Sequence, residues 1–337
     1  MASFKHERKG TIMEVIESGE GELFKAPDPD GFRAYVREHK ARGLIDKVMT
    51  EKEAVAKFVA DGDYLAYDLC WAIRGPNSLL REIIRQRKKN LGICGKFTYL
   101  GIAVLAGGEC FNRVDFGYVG ITVPYVEAIR EGNIRISEWS NNALTMRLQA
   151  GAMGIPFLPV RYLGGADAFH YSGAKLVKDP FTGKSVVLLP ALNPDVGLIH
   201  VHQADIYGNA RVFGSLLSAH EVASASRKVI ISSEEIIDHE EIRREPGRTT
   251  IPHFLVDAVV EAPFGSYPGE MPGLYTSDSA HLGEIAAASL KGMEPIKEYI
   301  QKYILDTESE LDFLESKVGL GRLLELKGNA NIKEGYR

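Results

Sequence analysis

Three segments of this chain join apolar runs to clusters of Gly, Pro, Asp and Asn, where binding and catalytic groups commonly collect. They are 148–167 (LQAGAMGIPFLPVRYLGGAD), 192–210 (LNPDVGLIHVHQADIYGNA) and 251–269 (IPHFLVDAVVEAPFGSYPG). In α/β enzymes, the loops that follow the strands carry the functional side chains. The three segments therefore predict an α/β enzyme whose site is built from loops at strand ends.

The loop around residue 71 carries side chains suited to an anionic substrate. Cys70 and Trp71 precede Arg74, whose guanidinium can hold a carboxylate in a bidentate pair. The alternative is that Arg74 pairs with nearby Asp68 and only shapes the loop. Trp71 is one of two tryptophans and fits an apolar substrate wall, the core or a subunit interface.

Two further patches offer polar or closely approachable backbone groups. Ser140 and Asn141 precede an apolar helix; they can cap it, and a helix N-terminus also favours carboxylate ligands. Gly164 and Gly165 lack Cβ atoms, so their backbone can approach a ligand, although a simple turn is an equal alternative. The candidate substrate-binding residues are therefore Cys70, Trp71, Arg74, Ser140, Asn141, Gly164 and Gly165.

No residue stands out as a nucleophile or as part of a metal site. Glu109, in AGGEC, and Glu131, in a Glu-Gly-Asn turn, fit loop or solvated positions better than a catalytic one. His200 and His202 have no further ligands at metal-binding spacing. We therefore predict no catalytic residue in this chain and no bound metal.

Alternating strand-like and helix-like segments must position these residues. The alternation predicts βαβ units and hence an α/β fold, a mainly parallel open sheet flanked by helices. Thr50 and Glu53 form a predicted capping box, and Glu234 with Glu235 is predicted to begin a helix. Strand candidates are Tyr64–Ile73, Asn90–Cys94, Phe116–Val119, Ile134–Ser137 and the runs FLPVR, SVVLLPAL, VGLIHVHQA, KVIISSEEI and FLVDAVVEAP. Helix candidates are Phe32–Gly43, Leu79–Arg87 and Asn141–Met153.

The chain divides into an N-terminal extension and one large domain. Residues 17–31 are rich in Glu, Gly, Pro and Asp, which disfavours regular structure, so residues 1–45 are predicted to be the extension. The domain is predicted to span 46–337. Its C-terminal segment, 291–337, is predicted to be helical with a break near Asp306.

Composition excludes several classes of protein. The net charge of −5 over 337 residues argues against a nucleic-acid partner. Three cysteines without a CxxC pair argue against a disulfide framework and fit a reducing cytoplasm. The polar first ten residues do not resemble a signal peptide, and no apolar run approaches the roughly 20 residues that span a bilayer. We expect a cytoplasmic protein with no membrane partner.

Several separated elements, in order, resemble the A (α) subunit of two-subunit family I CoA-transferases of the glutaconate CoA-transferase type. The resemblance covers roughly residues 46–328 and implies the CoA-transferase (sugar-phosphate isomerase-like) fold. The elements are Arg-Gly-Pro at 74–76 after the first strand, LQAGAMGIPFLPVR at 148–161, HVHQADIYGN at 200–209, SSEEIIDHEEIRR at 232–244, VDAVVEAPFGSYPG at 256–269 and KVGLGRLLELK at 317–327.

The resemblance implies half of an active site. In this family, the acyl-CoA is attacked by a glutamate of the B (β) subunit, and the A subunit walls the acyl-substrate side. It implies a B-subunit partner in a heterodimer or heterotetramer, inactivity of this chain alone, and an acyl-CoA and a small carboxylic acid as substrates. Coenzyme A thioester is then a substrate, with no cofactor bound. The turn 68–71 departs from the family's smaller residues, which indicates a substrate unlike glutaconate.

Two alternatives to CoA transfer stay open at this point. Related two-chain proteins use the same fold and assembly as CoA-ester hydrolases, ring-cleaving enzymes or decarboxylases. Some of them place an acidic residue near Asn141, which cannot act as a base, and this argues against the hydrolase variant. A non-enzymatic regulatory relative would need a DNA-binding N-terminal domain, for which residues 1–45 show neither basic character nor a helix-turn-helix.

Overall fold

A computed structural model describes residues 13–98, 100–120 and 122–330. Residues 1–12 of the predicted extension and 331–337 of the predicted helical segment lie outside the described residues. Numbered in chain order, the strands are β1 (Val15–Ser18), β2 (Tyr64–Tyr67), β3 (Leu91–Gly95), β4 (Phe111–Phe116), β5 (Arg135–Glu138), β6 (Phe157–Val160), β7 (Lys175–Lys178), β8 (Ser185–Pro190), β9 (Val196–Ala204), β10 (Ala210–Arg211), β11 (Lys228–Ile236) and β12 (Ala258–Glu261).

Helices alternate with these strands over most of the chain. They are α1 (Pro29–His39), α2 (Glu51–Phe58), α3 (Asn77–Arg85), α4 (Leu100–Gly107), α5 (Val123–Arg130), α6 (Asn141–Met153), α7 (Asp167–His170), α8 (Ala219–Ala225), α9 (His239–Arg244), α10 (Ser279–Lys291), α11 (Met293–Ile300), α12 (Glu310–Phe313) and α13 (Leu320–Asn329). Short 3₁₀ turns lie at Pro246–Arg248 and His253–Leu255, and π-helical turns at Gln301–Leu305 and Leu314–Val318 extend α11 and α12.

The main sheet has the strand order β12-β11-β9-β2-β3-β4-β5, and all of these strands are parallel. Its central strands are buried on both faces; every residue of β2 and β3 is buried, as expected when helices cover a parallel sheet. From β2 the chain builds outward to β5 and then returns to β9 on the other side. The predicted α/β class with a mainly parallel sheet is confirmed, and the order of strands reverses between β2 and β9.

Two apolar layers cover the two faces of the main sheet. On one face, Ile83 of α3, Leu105 of α4 and Ile296 of α11 pack on alternate residues of β2 and β3. On the other face, Leu144 of α6 and Val222 of α8 pack on the remaining residues. Because side chains alternate across a strand, successive residues at a strand end contact different layers. Those on one face contact α3, α4 and α11, and those on the other face contact α6 and α8.

A second sheet, with the order β1-β7-β8-β6, is antiparallel. The runs FLPVR and SVVLLPAL, predicted as strands, belong to it rather than to the parallel sheet. Strand β1 of the predicted extension pairs with β7 at its edge. Lys25, further along the same segment, forms an ion pair with Asp195 at 2.6 Å. The described part of the extension therefore packs against the large domain of its own chain, at β7 and at Asp195.

Several local predictions are confirmed and others are wrong. The capping box of Thr50 and Glu53 is present at the start of α2, and the C-terminal helices break at Asp306. The strand predicted over Tyr64–Ile73 ends at Tyr67, because the backbone turns sharply and Trp71 has a positive φ of 59°.

Two more predicted boundaries were misplaced. The strand predicted at Phe116–Val119 runs instead from Phe111 to Phe116, so the predicted range is the loop after it. Glu234 and Glu235 lie within β11 rather than at a helix start, because parallel pairing with β9 continues to Ile236. Their acidic character indicated a helix N-terminus, but strand pairing over long sequence distance overrides that local signal.

Candidate active site

The loops that follow β2, β3, β4 and β5 meet at the carboxyl edge of the main sheet. Isolated bridges between Trp71 and Thr98 and between Thr98 and Val119 join three of these loops. The segment 212–218, which leads from β10 to α8, crosses back over the end of β2, where the amide of Ser218 donates to Asp68. In open α/β sheets, ligands bind at the point where the strand order reverses, which here lies between β2 and β9.

Arg74 is buried and paired within the chain. Its guanidinium is 1% exposed and lies 2.7 Å from the Asp68 carboxylate. It also donates to the carbonyls of Ser215 at 3.3 Å and Leu216 at 3.0 Å. We therefore revise the assignment of Arg74 as a substrate-carboxylate ligand: a guanidinium enclosed by its own chain holds the segment 212–218 in place.

Cys70 and Trp71 lie at the opening of the loop. Trp71 is 46% exposed, and its amide donates to the carbonyl of Phe97 at 3.0 Å. A narrow apolar crevice of about 50 Å³ runs beneath Trp71 between α3 and α4. Burial raises the pKa of the half-buried Cys70 thiol by more than the positive charge of Lys96 lowers it. The protonated thiol is therefore favoured near neutral pH.

Ser140 and Asn141 are both used by the backbone around them. Ser140 is the N-cap of α6 and accepts from the amide of Ala143 at 3.0 Å, the capping alternative considered for it. The side-chain oxygen of Asn141 accepts from the amides of Phe97 at 3.0 Å and Tyr118 at 2.9 Å. Asn141 thus ties the loops after β3 and β4 to the start of α6.

The Gly164–Gly165 loop follows β6, a strand of the antiparallel sheet. These glycines therefore follow a strand end, but not one at the carboxyl edge of the main parallel sheet. The loop nevertheless lies beside the site, since the hydroxyl of Tyr162 donates to the side chain of Asn142 in the first turn of α6 at 2.6 Å. Gly165 has a φ of +88°, and a Cβ built there meets nothing within 4 Å.

Three polar residues of the site were missed by the sequence interpretation. Lys96 follows β3, is 8% exposed, and donates from Nζ to Ser218 Oγ at 2.7 Å. Ser218 Oγ also lies 3.2 Å from the hydroxyl of Thr145 on α6. The position of Lys96 directly after the apolar run LGICG was an available signal. Nothing in the sequence connects Ser218 with Lys96, because 122 residues separate them.

The two glutamates weighed as nucleophiles lie at the opposite edge of the sheet. Glu109 and Glu131 line one pocket of about 430 Å³ where β4 and β5 begin. The Glu109 carboxylate is 59% exposed and pairs with Lys297 at 3.0 Å and Lys89 at 3.7 Å. Those lysines hold the pKa of Glu109 below its usual value. Neither glutamate is close to the carboxyl-edge loops.

A second buried polar network joins the middle of β9 to β11 and to the segment 262–275. His200 contacts the Ser232 hydroxyl at 2.9 Å and the Glu234 carboxylate at 2.7 Å. That carboxylate also accepts from the amide of Phe264 at 2.8 Å and from the hydroxyl of Tyr275. Because each of these polar groups has a partner, we interpret the network as a structural one that holds the segment 262–275 against the sheet.

Neither a metal centre nor a membrane span is found among the residues described. Across 13–98, 100–120 and 122–330, no group of three or more His, Cys, Asp and Glu side chains is arranged to hold a metal ion. Over the same ranges, each helix is too short or too polar to cross a lipid bilayer.

Comparison with known proteins identifies the fold and its family. Residues 48–262 match the model of the Coenzyme A transferase family. The A subunit of glutaconate CoA-transferase from Acidaminococcus fermentans is 30% identical, over 84% of this chain and 95% of its own length. The crystal structure of that organism's glutaconate CoA-transferase matches with a TM-score of 0.80, covering 83% of this chain and 95% of that chain at 30% identity.

Two further relatives match over most of the chain. The A subunit of 3-oxoadipate CoA-transferase from Pseudomonas knackmussii is 30% identical, over 82% of this chain and 99% of its own length. An uncharacterized protein of Archaeoglobus fulgidus is 41% identical, over 96% of this chain and 73% of its own length.

The parallel sheet, its reversal point and these matches together show that the chain belongs to the coenzyme A transferase family. Within that family it is of the A-subunit type and is one component of a transferase enzyme. The resemblance inferred from the sequence is confirmed.

Proposed function

We propose that this chain is the A subunit of an acyl-CoA:carboxylate CoA-transferase and forms the acyl-substrate side of an active site completed by a B subunit. Its substrates are an acyl-CoA and a small carboxylic acid, and coenzyme A thioester is a substrate rather than a bound cofactor. The observation that carries the proposal is the state of two buried carboxylates at the carboxyl edge beside the Trp71 loop and α6, each of which is engaged by the chain itself.

These two carboxylates belong to Asp68 and Asp115. Asp68 pairs with Arg74 at 2.7 Å and accepts from the amide of Ser218 at 2.8 Å. Asp115 pairs with Arg147 at 3.1 Å and accepts from the indole of Trp139 at 2.7 Å. Carboxylates held in this way are poor nucleophiles, so the attacking glutamate is assigned to the partner.

In the proposed reaction, the partner's glutamate attacks the thioester carbonyl and expels CoA thiolate, which leaves an acyl-glutamyl anhydride. The thiolate then attacks the glutamyl carbonyl, releasing the free acid and forming an enzyme-bound CoA thioester. The second acid reverses both steps. This chain contributes the wall at Cys70 and Trp71, the amides around Gly164 and Gly165, and the oriented start of α6 at Ser140 and Asn141.

An exposed apolar rim supports the position of the partner. Trp71, Tyr118 and Leu216 are 46%, 43% and 45% exposed around the carboxyl edge. Large apolar side chains gathered beside a binding site are typical of a protein–protein contact. We place the B subunit over this rim, in a heterodimer or a heterotetramer.

The test compares this chain alone with the chain assembled with a B-type subunit. We expect no exchange of CoA between acyl-CoA and free acids by the chain alone, and turnover by the assembly. Mass spectrometry of the assembly incubated with acyl-CoA should show a CoA thioester on a glutamate of the partner. Robust turnover by this chain alone, or a CoA adduct on one of its own glutamates, would contradict the proposal.

Glu109 offers a matched control within the chain. Glu109→Gln removes an exposed carboxylate at the far edge of the sheet and should leave turnover of the assembly unchanged. The alternative activities keep the same fold and depend on the partner's residue. An assembly that hydrolyses, cleaves or decarboxylates the acyl-CoA, and that transfers no CoA to an acid, would establish that alternative.

A further inference from the structure

A groove of about 600 Å³ lies at the end of β12, the edge strand of the main sheet. Strands β11 and β9 separate β12 from β2, so the groove lies away from the point where the strand order reverses. Its walls come from the start of α2, from α3, from the segment that follows β12, and from α12 and α13. Small-molecule sites in proteins have volumes of about 300–1,000 Å³, and this groove is within that range.

Apolar side chains form most of the wall of the groove. Leu314 and Leu323 are buried in the core beneath it, and Phe264 packs against the same core. Leu311 and Leu320 line its opening, where they are 64% and 69% exposed. Large apolar side chains that stay exposed around a concave surface are typical of a binding site, so a ligand with an apolar body fits this wall.

The charged groups of the groove are mostly carboxylates. Two of them already have cations, since Glu82 pairs with Arg85 at 3.3 Å and Glu310 pairs with Arg81. The other charged residues that line the groove form no ion pair within the described ranges; they are Glu51, Glu261, Glu308, Glu315 and Lys52. These four carboxylates and one ammonium leave three negative charges in excess. The amino ends of α2, α12 and α13 each contribute at most about half a positive charge, so the excess stays negative.

Glu51 differs from the other three unpaired glutamates because it is partly buried, whereas they are exposed. Burial, and then the carboxylates of Glu310 and Glu82, raise the pKa of Glu51 to about 7; its own backbone amide, which donates to the carboxylate, and Arg85 oppose the rise. Lys52, its neighbour on α2, is exposed. A cation held against Glu51 would favour the charged form of this carboxyl.

We propose that this groove is a binding site for an organic cation with an apolar body, such as a primary ammonium on a linear alkyl chain. The chain packs against Leu311, Leu314 and Leu323, and the ammonium pairs with the carboxylate of Glu51. The excess of negative charge disfavours anions, which include acyl-CoA and free carboxylic acids. The site is therefore additional to the proposed function and does not rest on it.

The experiment measures binding to the full-length chain by calorimetry at pH 7, with octylammonium as the probe. The compound 1-octanol has the same chain without the charge, and 1-octanesulfonate reverses the charge. We expect octylammonium to bind about 10- to 100-fold more tightly than 1-octanol, as a charge-assisted contact predicts, and 1-octanesulfonate to bind more weakly than 1-octanol. From butyl- to hexyl- to octylammonium, affinity should rise by up to about fourfold for each added methylene.

Glu51→Gln removes the charge at nearly constant shape. It should lower the affinity for octylammonium about 10- to 100-fold and that for 1-octanol by no more than about threefold. Binding to the wild type should release about half a proton at pH 7, because a group with a pKa of about 7 is half protonated there and the cation favours its charged form. The difference in binding heat between phosphate and HEPES buffers measures this release, which Glu51→Gln should abolish. Glu240→Gln, at an exposed carboxylate on α9, is the matched control and should behave as wild type.

Equal affinities for octylammonium and 1-octanol would overturn the proposal, and so would unchanged octylammonium binding by Glu51→Gln. Proton release by the wild type gives a readout that does not depend on the variant, and binding without it would also overturn the proposal. The titration is then repeated with the chain assembled with a B-type subunit, where we expect the same affinity. Loss of binding on assembly would assign the groove to the subunit contact instead of a small cation.

Discussion

Replacing Arg74 with methionine should destabilise the folded chain, and the structure gives the size of the effect. The change removes the cation that pairs with Asp68, whose carboxylate is 0% exposed. It also removes donors to the carbonyls of Ser215 and Leu216. Methionine keeps much of the side-chain volume, so the predicted loss comes from the charge and hydrogen bonds rather than from a cavity.

Breaking a buried ion pair by removing one partner is unfavourable by about 3–5 kcal/mol, since the other charge stays buried and uncompensated. For a chain of 337 residues, that loss corresponds to a fall in melting temperature of roughly 4–7 °C. The amide of Ser218 keeps one hydrogen bond to Asp68, which places the expected value toward the lower end of both ranges.

Urea unfolding followed by circular dichroism, together with a thermal melt, measures the change. Arg135→Met is the matched control. Arg135 pairs with Glu22 at 2.8 Å, but both side chains are at least half exposed, and exposed pairs contribute little. We therefore expect Arg135→Met to unfold at nearly the wild-type urea concentration and Arg74→Met to unfold well below it.

A double variant sharpens the test. Replacing Asp68 by Asn in the Arg74→Met background removes the orphaned charge and should recover part of the stability, because the two side chains are coupled. Equal melting temperatures for Arg74→Met and Arg135→Met would contradict the structural role of Arg74. A raised KM for an anionic acyl substrate, in a folded and assembled Arg74→Met variant of unchanged stability, would instead show that Arg74 binds substrate.

Three further predictions concern other parts of the chain. Asp115→Asn should lower the free energy of unfolding by about 3–5 kcal/mol, because it leaves the fully buried Arg147 without its anion; urea unfolding at the wild-type midpoint would contradict this. Burial, with help from nearby carboxylates, raises the pKa of Glu51 to about 7 from 4.5. The folded state then binds more protons than the unfolded state between these values, so stability falls as pH rises through the window; Glu51→Gln should flatten melting temperatures measured from pH 4.5 to 8, and an unchanged slope would count against it. Gly165→Val should strain a backbone whose φ is +88° more than it disturbs packing; if the assembled variant melts normally but kcat falls, the loop belongs to the site, and if both are normal, it does not.

Local chemistry explains which parts of the fold were predictable. The capping box at Thr50 and the N-cap at Ser140 depend on hydrogen bonds between residues three positions apart. Such short-range contacts can be predicted from the sequence. Buried parallel strands appear in the sequence as apolar runs, so most strands were found. Their class followed from the alternation with helices, and the family followed from motifs that keep their order along the chain.

The pairing of one strand with another cannot be predicted from local sequence in the same way. The run FLPVR has the composition of a core strand, yet it pairs antiparallel with β8 in the second sheet. Glu234 and Glu235 carry a helix-start signal but lie in β11 beside β9. In both cases, pairing with a segment distant in sequence decides the outcome, and local propensity cannot report it.

The α/β class, the family and the polar loops at strand ends were predictable before folding, because these depend on composition and short-range spacing. The charges in those loops that remain available to a substrate became apparent only from the folded chain. Arg74 and Asp68 lie six residues apart and neutralise each other. Lys96 meets the neutral Ser218 across 122 residues, while the two buried aspartates beside it are held by arginines. Whether a buried charge has a partner depends on how distant segments pack, and that packing exists only in the folded chain.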